Sequence, residues 1–175
     1  ALRSHLPQES YVYLGDTANA PYGVREADDI MRLCRGAAEQ MMGHGIKALV
    51  IACNTATGVC QDTLAAELLI PVLGIQPALE AAQELKKDGN ILVMATPATF
   101  KTAKYAQLKQ KHGEGVLDLP CPGLMEFVER EELDGPELER FLDDLLKDVD
   151  PDTVDVVVLG CTHYPFLAGP IGRRF

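Results

Sequence analysis

The sequence predicts an α/β protein built as two similar doubly wound α/β domains with mostly parallel sheets and a site between them. Three observations carry that expectation. Short aliphatic runs alternate with longer helical patterns from end to end, which is the signature of βαβ units. Several of those runs are apolar at every position, as strands buried on both faces must be. A strand followed by a polar turn, Ile46 to Thr55, also returns in altered form at Val154 to His163.

In chain order, strands are expected at Tyr11 to Leu14, Ala48 to Ala52, Val72 to Ile75, Ile91 to Ala95, Gly115 to Leu119 and Val154 to Gly160. The first helix, Arg25 to Met42, sets Ile30, Leu33, Cys34, Ala37 and Met41 at helical spacing, and His44-Gly45 stops it. Thr57 to Leu68 follows, closed before Pro71. Pro77 to Lys87 is closed by Asp88-Gly89, and Thr99 to His112 and a shorter Gly123 to Glu131 come next. Pro136 to Val149 opens on proline, whose fixed φ suits a first helical turn. The best boundary between the halves lies near Gly74 to Pro77, giving domains 1–75 and 76–175.

Composition narrows the function. Among 175 residues, 47% are hydrophobic and 24% charged, the balance of a globular chain that needs no disulfide staples. The net charge of −10 argues against nucleic acid and anionic membranes, which are held by clustered Lys and Arg. Apolar runs such as Ala48 to Cys53 fall far short of the roughly 20 residues that span a bilayer. Five cysteines without a disulfide framework, and no apolar leader in the first residues, read as a reducing, cytoplasmic setting.

The chemistry concentrates on two cysteines. Cys53, in Ala52-Cys53-Asn54-Thr55, and Cys161, in Gly160-Cys161-Thr162-His163, each follow a strand and precede small hydrogen-bonding residues. In open α/β sheets ligands bind beyond the carboxyl ends of strands. A helix N-terminus there is expected to lower a thiol pKa toward neutrality. A single cysteine so placed is more often a small packing group, but two matched copies flanked by polar residues favour chemistry. Cys34 and Cys60 fall within helical patterns and read as structural, whereas Cys121 beside Pro122 stays open.

Two thiols facing across a cleft suit removal of a proton from one face of a carbon and delivery to the other, the work of a two-base racemase or epimerase. A zinc site is disfavoured by the spacing of Cys161 and His163 and by the lack of any C-x-x-C. A Cys161-His163 nucleophile is possible chemistry but leaves Cys53 unexplained. Asn54, Thr55, Thr162 and helix N-termini can hold a carboxylate without arginine, so an acidic chain can bind a small acid. Thr96 and Thr99 divide evenly between helix capping and ligand contact. Asp16-Thr17 and Pro21-Tyr22-Gly23 form a loop that alone reads as a turn, and the acidic run around Glu129 as a solvated helix face.

Taken together, Tyr13-Leu14-Gly15-Asp16-Thr17-Ala18-Asn19-Ala20-Pro21-Tyr22-Gly23, Ala52 to Thr57 and Leu159-Gly160-Cys161-Thr162-His163-Tyr164-Pro165 resemble the glutamate racemases of the aspartate/glutamate racemase family. The resemblance implies reversible interconversion of L- and D-glutamate for bacterial peptidoglycan, with neither pyridoxal phosphate nor metal. It implies that Cys53 acts on D-glutamate and Cys161 on L-glutamate, with His163 and Glu129 assisting Cys161. It further implies substrate contacts from Pro21, Tyr22, Gly23, Asn54, Thr55, Thr96, Thr99 and Thr162. The family's Asp-Ser-Gly-x-Gly-Gly segment has no counterpart after Ala1, and the family continues past the position of Phe175. These residues alone are therefore expected to be poorly active and prone to associate through an exposed sheet edge, and a homodimer is among the expected assemblies. Racemisation of another acidic amino acid, or a binding module without catalysis, are the competing expectations.

Overall fold

The computed structural model describes residues 2–175, and its elements follow the alternation expected from the sequence. In order they are α1 (Leu2–His5), α2 (Ala27–Met42), β1 (Leu49–Ile51), α3 (Asn54–Glu67), β2 (Val72–Gly74), α4 (Leu79–Leu85), β3 (Asn90–Ala95), α5 (Pro97–Phe100), α6 (Ala103–His112), β4 (Val116–Pro120), α7 (Leu124–Glu129), α8 (Pro136–Leu146), β5 (Val154–Leu159) and α9 (Ala168–Gly172). Short 3-10 turns lie at Thr17–Asn19, Pro151–Thr153 and Tyr164–Leu167.

All strand pairing described is parallel. β1 pairs with β2, with Leu49 opposite Val72, and a three-stranded sheet runs in the order β4-β3-β5. β3 is the spine of the larger sheet, with Ile91 to Ala95 at most 1% exposed. Its side chains alternate between two cores, as period-2 geometry requires. Leu92 and Met94 face a cluster with Leu124, Phe127, Leu138, Leu142 and Tyr164, while Ile91, Val93 and Ala95 face Leu79, Ala82, Tyr105 and Leu108. Helices therefore cover both faces, which is the doubly wound arrangement. A third cluster packs α2 and α3 onto Leu49 and Val72 of the smaller sheet. The opposite face of that sheet leaves Val50 and Leu73 exposed.

Amphipathic spacing explains the strongest helices. In α2, Ile30, Cys34 and Ala38 fall four apart on the buried stripe, and in α8 Leu138, Leu142 and Leu146 do the same. α8 opens on Pro136, as expected, and α7 starts after Gly123 at φ +87°, a left-handed position that glycine adopts without cost. Among the described residues no helix is long and apolar enough to cross a membrane.

Two expectations need correction. Tyr11 to Leu14 forms no strand: it has no ladder partner, and Tyr11, Val12 and Tyr13 are exposed, Tyr13 to 90%. An aliphatic and aromatic run becomes a strand only when a neighbour receives its backbone hydrogen bonds. Instead the Tyr11 hydroxyl donates to the Leu6 carbonyl at 3.0 Å.

The helix expected over Thr99 to His112 is two helices. Thr102 is extended, and its Oγ1 accepts from the Tyr105 N–H at 3.2 Å to cap α6 while donating to the Thr99 carbonyl at 2.8 Å. Replacing Thr102 with Ala is expected to cost about 1 kcal/mol, the usual value of an N-cap, and urea unfolding checks it through a lower midpoint at unchanged slope. The other helices keep their expected identity with shifted ends. The chief case is α3, which begins at Asn54 and not Thr57, and so takes Asn54 and Thr55 into its first turn.

Candidate active site

The carboxyl ends of β1, β3 and β5 converge on one region. Cys53 lies two residues beyond β1 and Cys161 two residues beyond β5, and the match extends to their hydrogen bonding. The backbone N–H groups of Thr55 and Ala56 favour the ionised form of Cys53, and those of His163 and Tyr164 that of Cys161, the same second and third positions after each cysteine. The repeat noted in the sequence thus corresponds to two matched turns, each placing a cysteine two residues beyond a strand. The first opens α3, and the second opens the Tyr164–Leu167 turn.

Polar contacts join the turns after β1, β3 and β5. Asn54 Nδ2 donates to the Gly160 carbonyl at 2.7 Å, tying the residue after Cys53 to the residue before Cys161. That bond fixes the amide orientation and leaves Asn54 Oδ1 buried without a hydrogen-bond partner among the described residues. A buried acceptor in that state costs roughly 1–3 kcal/mol and calls for a donor. Thr55, Thr96 and Thr99 form a buried hydroxyl triangle with Oγ1 separations of 2.8, 2.9 and 2.9 Å, joining α3 to the end of β3 and to α5. Thr96 also caps α5, since its Oγ1 accepts the Thr99 N–H at 3.4 Å. Capping and a place at the convergence of the strand ends are therefore combined in the same residue.

His163 links two expected residues separated by more than thirty positions. Its Nδ1 lies 3.7 Å from Cys161 Sγ, and its Nε2 lies 2.7 Å from Glu129 Oε1 at the end of α7. A carboxylate on one ring nitrogen orients the imidazole so that the other faces the sulfur. The 16–23 loop packs beside Thr96 and Ala98 at the end of β3. Pro21 follows a cis peptide bond, and the Tyr22 hydroxyl donates to Asp16 Oδ2 at 2.6 Å. The Gly23 carbonyl accepts the Ala98 N–H at 2.9 Å. Thr162 is exposed beside Cys161. Asp16, which the sequence alone reads as part of a turn, holds both Tyr22 and Asn19. Hydrogen bonds from those two groups draw its carboxyl below the usual range. Cys121, left open by the sequence, is buried, and its Sγ contacts the Leu119 carbonyl at 3.1 Å, a packing role.

The thiol pKa values run against the sequence expectation. Burial pushes Cys53 up, and it pushes Cys161 up to about 11, despite the backbone N–H groups that pull each down. Desolvation of the charged form outweighs the helix terminus. A charge on Cys53 raises Cys161 further, so ionising one thiol opposes ionising the other. The stability consequence has a definite sign. Between the ordinary thiol value near 9 and about 11, the folded protein holds a proton that the unfolded chain releases, so stability falls as pH rises through this window. Thermal melts from pH 8 to 11 are expected to show a falling midpoint whose slope is reduced in Cys161→Ser and not abolished, because burial raises Cys53 and Cys121 as well.

Residues 1–175 match the Asp/Glu/Hydantoin racemase family. The chain belongs to this family. A glutamate racemase from Clostridium botulinum (strain Alaska E43 / Type E3) is 43% identical over 165 residues, which are 93% of this chain and 64% of the relative. The chain thus spans about 64% of the length of that curated relative. Among solved structures, a glutamate racemase isoform from Bacillus anthracis superposes with a TM-score of 0.87 at 32% identity, covering 99% of this chain and 66% of that one. A Francisella tularensis glutamate racemase in complex with D-glutamate gives 0.83 at 28%, again covering 99% and 66%. Membership of the racemase family gives the paired sulfur turns a chemical context that packing alone does not.

Proposed function

We propose that this protein interconverts L- and D-glutamate by proton transfer between two thiols. The observation that carries the reading is the matched placement of Cys53 and Cys161, each two residues beyond a parallel strand, with their turns joined by the Asn54–Gly160 hydrogen bond. One sulfur, as thiolate, removes the α-proton. The other, as thiol, delivers a proton to the opposite face of the planar intermediate, so one thiolate and one thiol are exchanged per turnover. The mutual opposition of the two charges favours this singly ionised pair. At neutral pH burial keeps both sulfurs protonated, and a substrate ammonium brought beside one of them favours its thiolate.

His163, oriented by Glu129, assists Cys161, which acts on L-glutamate, while Cys53 acts on D-glutamate. Pro21, Tyr22, Gly23, Asn54, Thr55, Thr96, Thr99 and Thr162 form the substrate surface, and the unpartnered Asn54 Oδ1 accepts from the amino group. Glutamate as substrate rests on the related racemases, one of them holding D-glutamate. In this reading the halves are residues 1–75 and 76–175, D-glutamate feeds peptidoglycan synthesis in the cytoplasm, and the exposed Val50–Leu73 face supports a homodimer.

The test is incubation of L-glutamate with the protein in D2O, followed by circular dichroism and by mass spectrometry of the α-carbon. Loss of ellipticity with deuterium in the D-glutamate formed is expected. Racemisation without solvent deuterium, or faster turnover of L-aspartate than of L-glutamate, would reject the reading.

A further inference from the structure

Thr57 ends the segment Ala52 to Thr57 that carries part of the family resemblance, yet the reaction described above gives it no role. It is 2% exposed and lies at the start of α3. Its backbone N–H donates to the Cys53 carbonyl at 2.8 Å. Its hydroxyl donates to the Ile51 carbonyl at 3.1 Å and accepts the Ile75 N–H, also at 3.1 Å. Ile51 pairs with Gly74 at the end of the β1–β2 ladder, so the next parallel rung would run from the Ile75 N–H to the Ile51 carbonyl. The Thr57 hydroxyl stands between those two groups and bonds to each. Gly74 leaves room for it, since a Cβ there would lie 2.3 Å from Thr57 Cγ2.

These bonds bear on both cysteines. Ile51 and Cys53 flank Ala52, so one threonine grips the chain on either side of the bend that leads out of β1. A rung routed through a hydroxyl also holds the two strand ends farther apart than a direct N–H to carbonyl bond would. Ile75 opens the stretch to Pro77, whose Cγ lies 3.6 Å from where a Cβ on Gly160 would stand, next to Cys161. Thr57 therefore holds the Cys53 turn to a short path of backbone whose far end packs against the Cys161 turn.

We propose that Thr57 is a positioning residue for the two-thiol reaction, setting Cys53 relative to Cys161 through the ends of β1 and β2. The inference rests on that reading of the function. No proton of the reaction passes through Thr57, which acts on the geometry of Cys53 alone.

The experiment compares the unmodified protein with Thr57→Val, which keeps the methyl against Gly74 and has no hydroxyl, and with Thr57→Ser, which keeps the hydroxyl. In Thr57→Val kcat for both enantiomers is expected to fall by roughly 10²-fold, the cost of displacing a reacting group by about 1 Å. KM is expected to change little, because Asn54 and Thr55 keep their own ties to Gly160, Thr96 and Thr99. Thr57→Ser is expected to recover most of the loss. Iodoacetamide labelling mapped by mass spectrometry supplies a readout that needs no racemase assay. Cys53 is expected to react about fivefold faster in Thr57→Val, the population effect of one lost hydrogen bond, while Cys60, fully buried on the same helix, stays protected. Unchanged kcat in Thr57→Val, a loss carried by KM, or a Thr57→Ser protein as slow as Thr57→Val would overturn the proposal. So would Cys53 labelling that is unaltered or that rises only together with Cys60. If the unmodified protein does not racemise glutamate, the two-thiol reading fails, and labelling alone decides whether Thr57 sets the Cys53 turn.

Discussion

Replacing Cys161 with Ala is expected to lower racemisation in both directions by roughly 10²–10⁴-fold, the usual contribution of a positioned acid or base, and Cys53→Ala is expected to match it. Both directions suffer because, in the proposed reaction, each thiol is the base for one enantiomer and the acid for the other. The matched placement of the two cysteines, each two residues beyond a strand, is the physical reason to expect equal losses. Each variant keeps one competent thiol. Cys161→Ala therefore retains exchange of the α-proton of D-glutamate with solvent, without inversion, and Cys53→Ala retains that of L-glutamate. Parallel assays in D2O by circular dichroism and mass spectrometry separate inversion from exchange. Wild-type racemisation in either variant would refute a mechanism in which both thiols act. Neither change creates a large cavity, since only a sulfur is removed, so thermal melts close to wild type will accompany the loss.

Much of this arrangement was legible because its signals are local. β3 reads as a buried strand from its unbroken apolar run, and α8 as a helix from Pro136 and the leucines four apart. The paired cysteines were legible for the same reason, each being a short motif after a strand. What escaped depends on distant partners. Tyr11 to Leu14 has strand composition, but a ladder needs a neighbour that local composition does not specify. The break at Thr102 was concealed because Tyr105 and Leu108 continue an apolar pattern across it, and only the hydroxyl's choice of the Tyr105 N–H decides the matter. The direction of the thiol shifts was missed because a helix terminus is visible in sequence while the depth of burial is not. Glu129 illustrates the difference most clearly: in a run that also holds Glu126, Glu131 and Glu132, nothing local selects it, and the family resemblance alone singled it out. The 2.7 Å contact to His163 distinguishes it once α7 is packed beside the turn after β5.

Gly23→Ala is expected to be the most damaging single-methyl change at the site, costing about 3 kcal/mol, at the upper end of overpacking effects. A Cβ there would lie 2.5 Å from both Cβ and Cγ2 of Thr96 and 3.0 Å from its Oγ1. Neither side can yield cheaply. The Gly23 carbonyl is held by the Ala98 N–H, and Thr96 is buried at the end of β3 within the Thr55–Thr99 hydroxyl triangle. Relief by moving Thr96 would break hydroxyl contacts that join α3 to α5, and relief by moving Gly23 would displace Tyr22 and Pro21 from the site. Stability and glutamate binding should therefore fall together, with the melting midpoint lower by roughly 6–12 °C for a chain of this size. Thr96→Ser in the same background offers a sharp control. It removes Cγ2 but keeps Cβ, which is itself at 2.5 Å, so it is expected to restore only a minor part of the loss. Full recovery in the double variant would show that the clash lies with the methyl alone, and an unchanged midpoint in Gly23→Ala would show that the loop and β3 are not packed as tightly as their hydrogen bonds require.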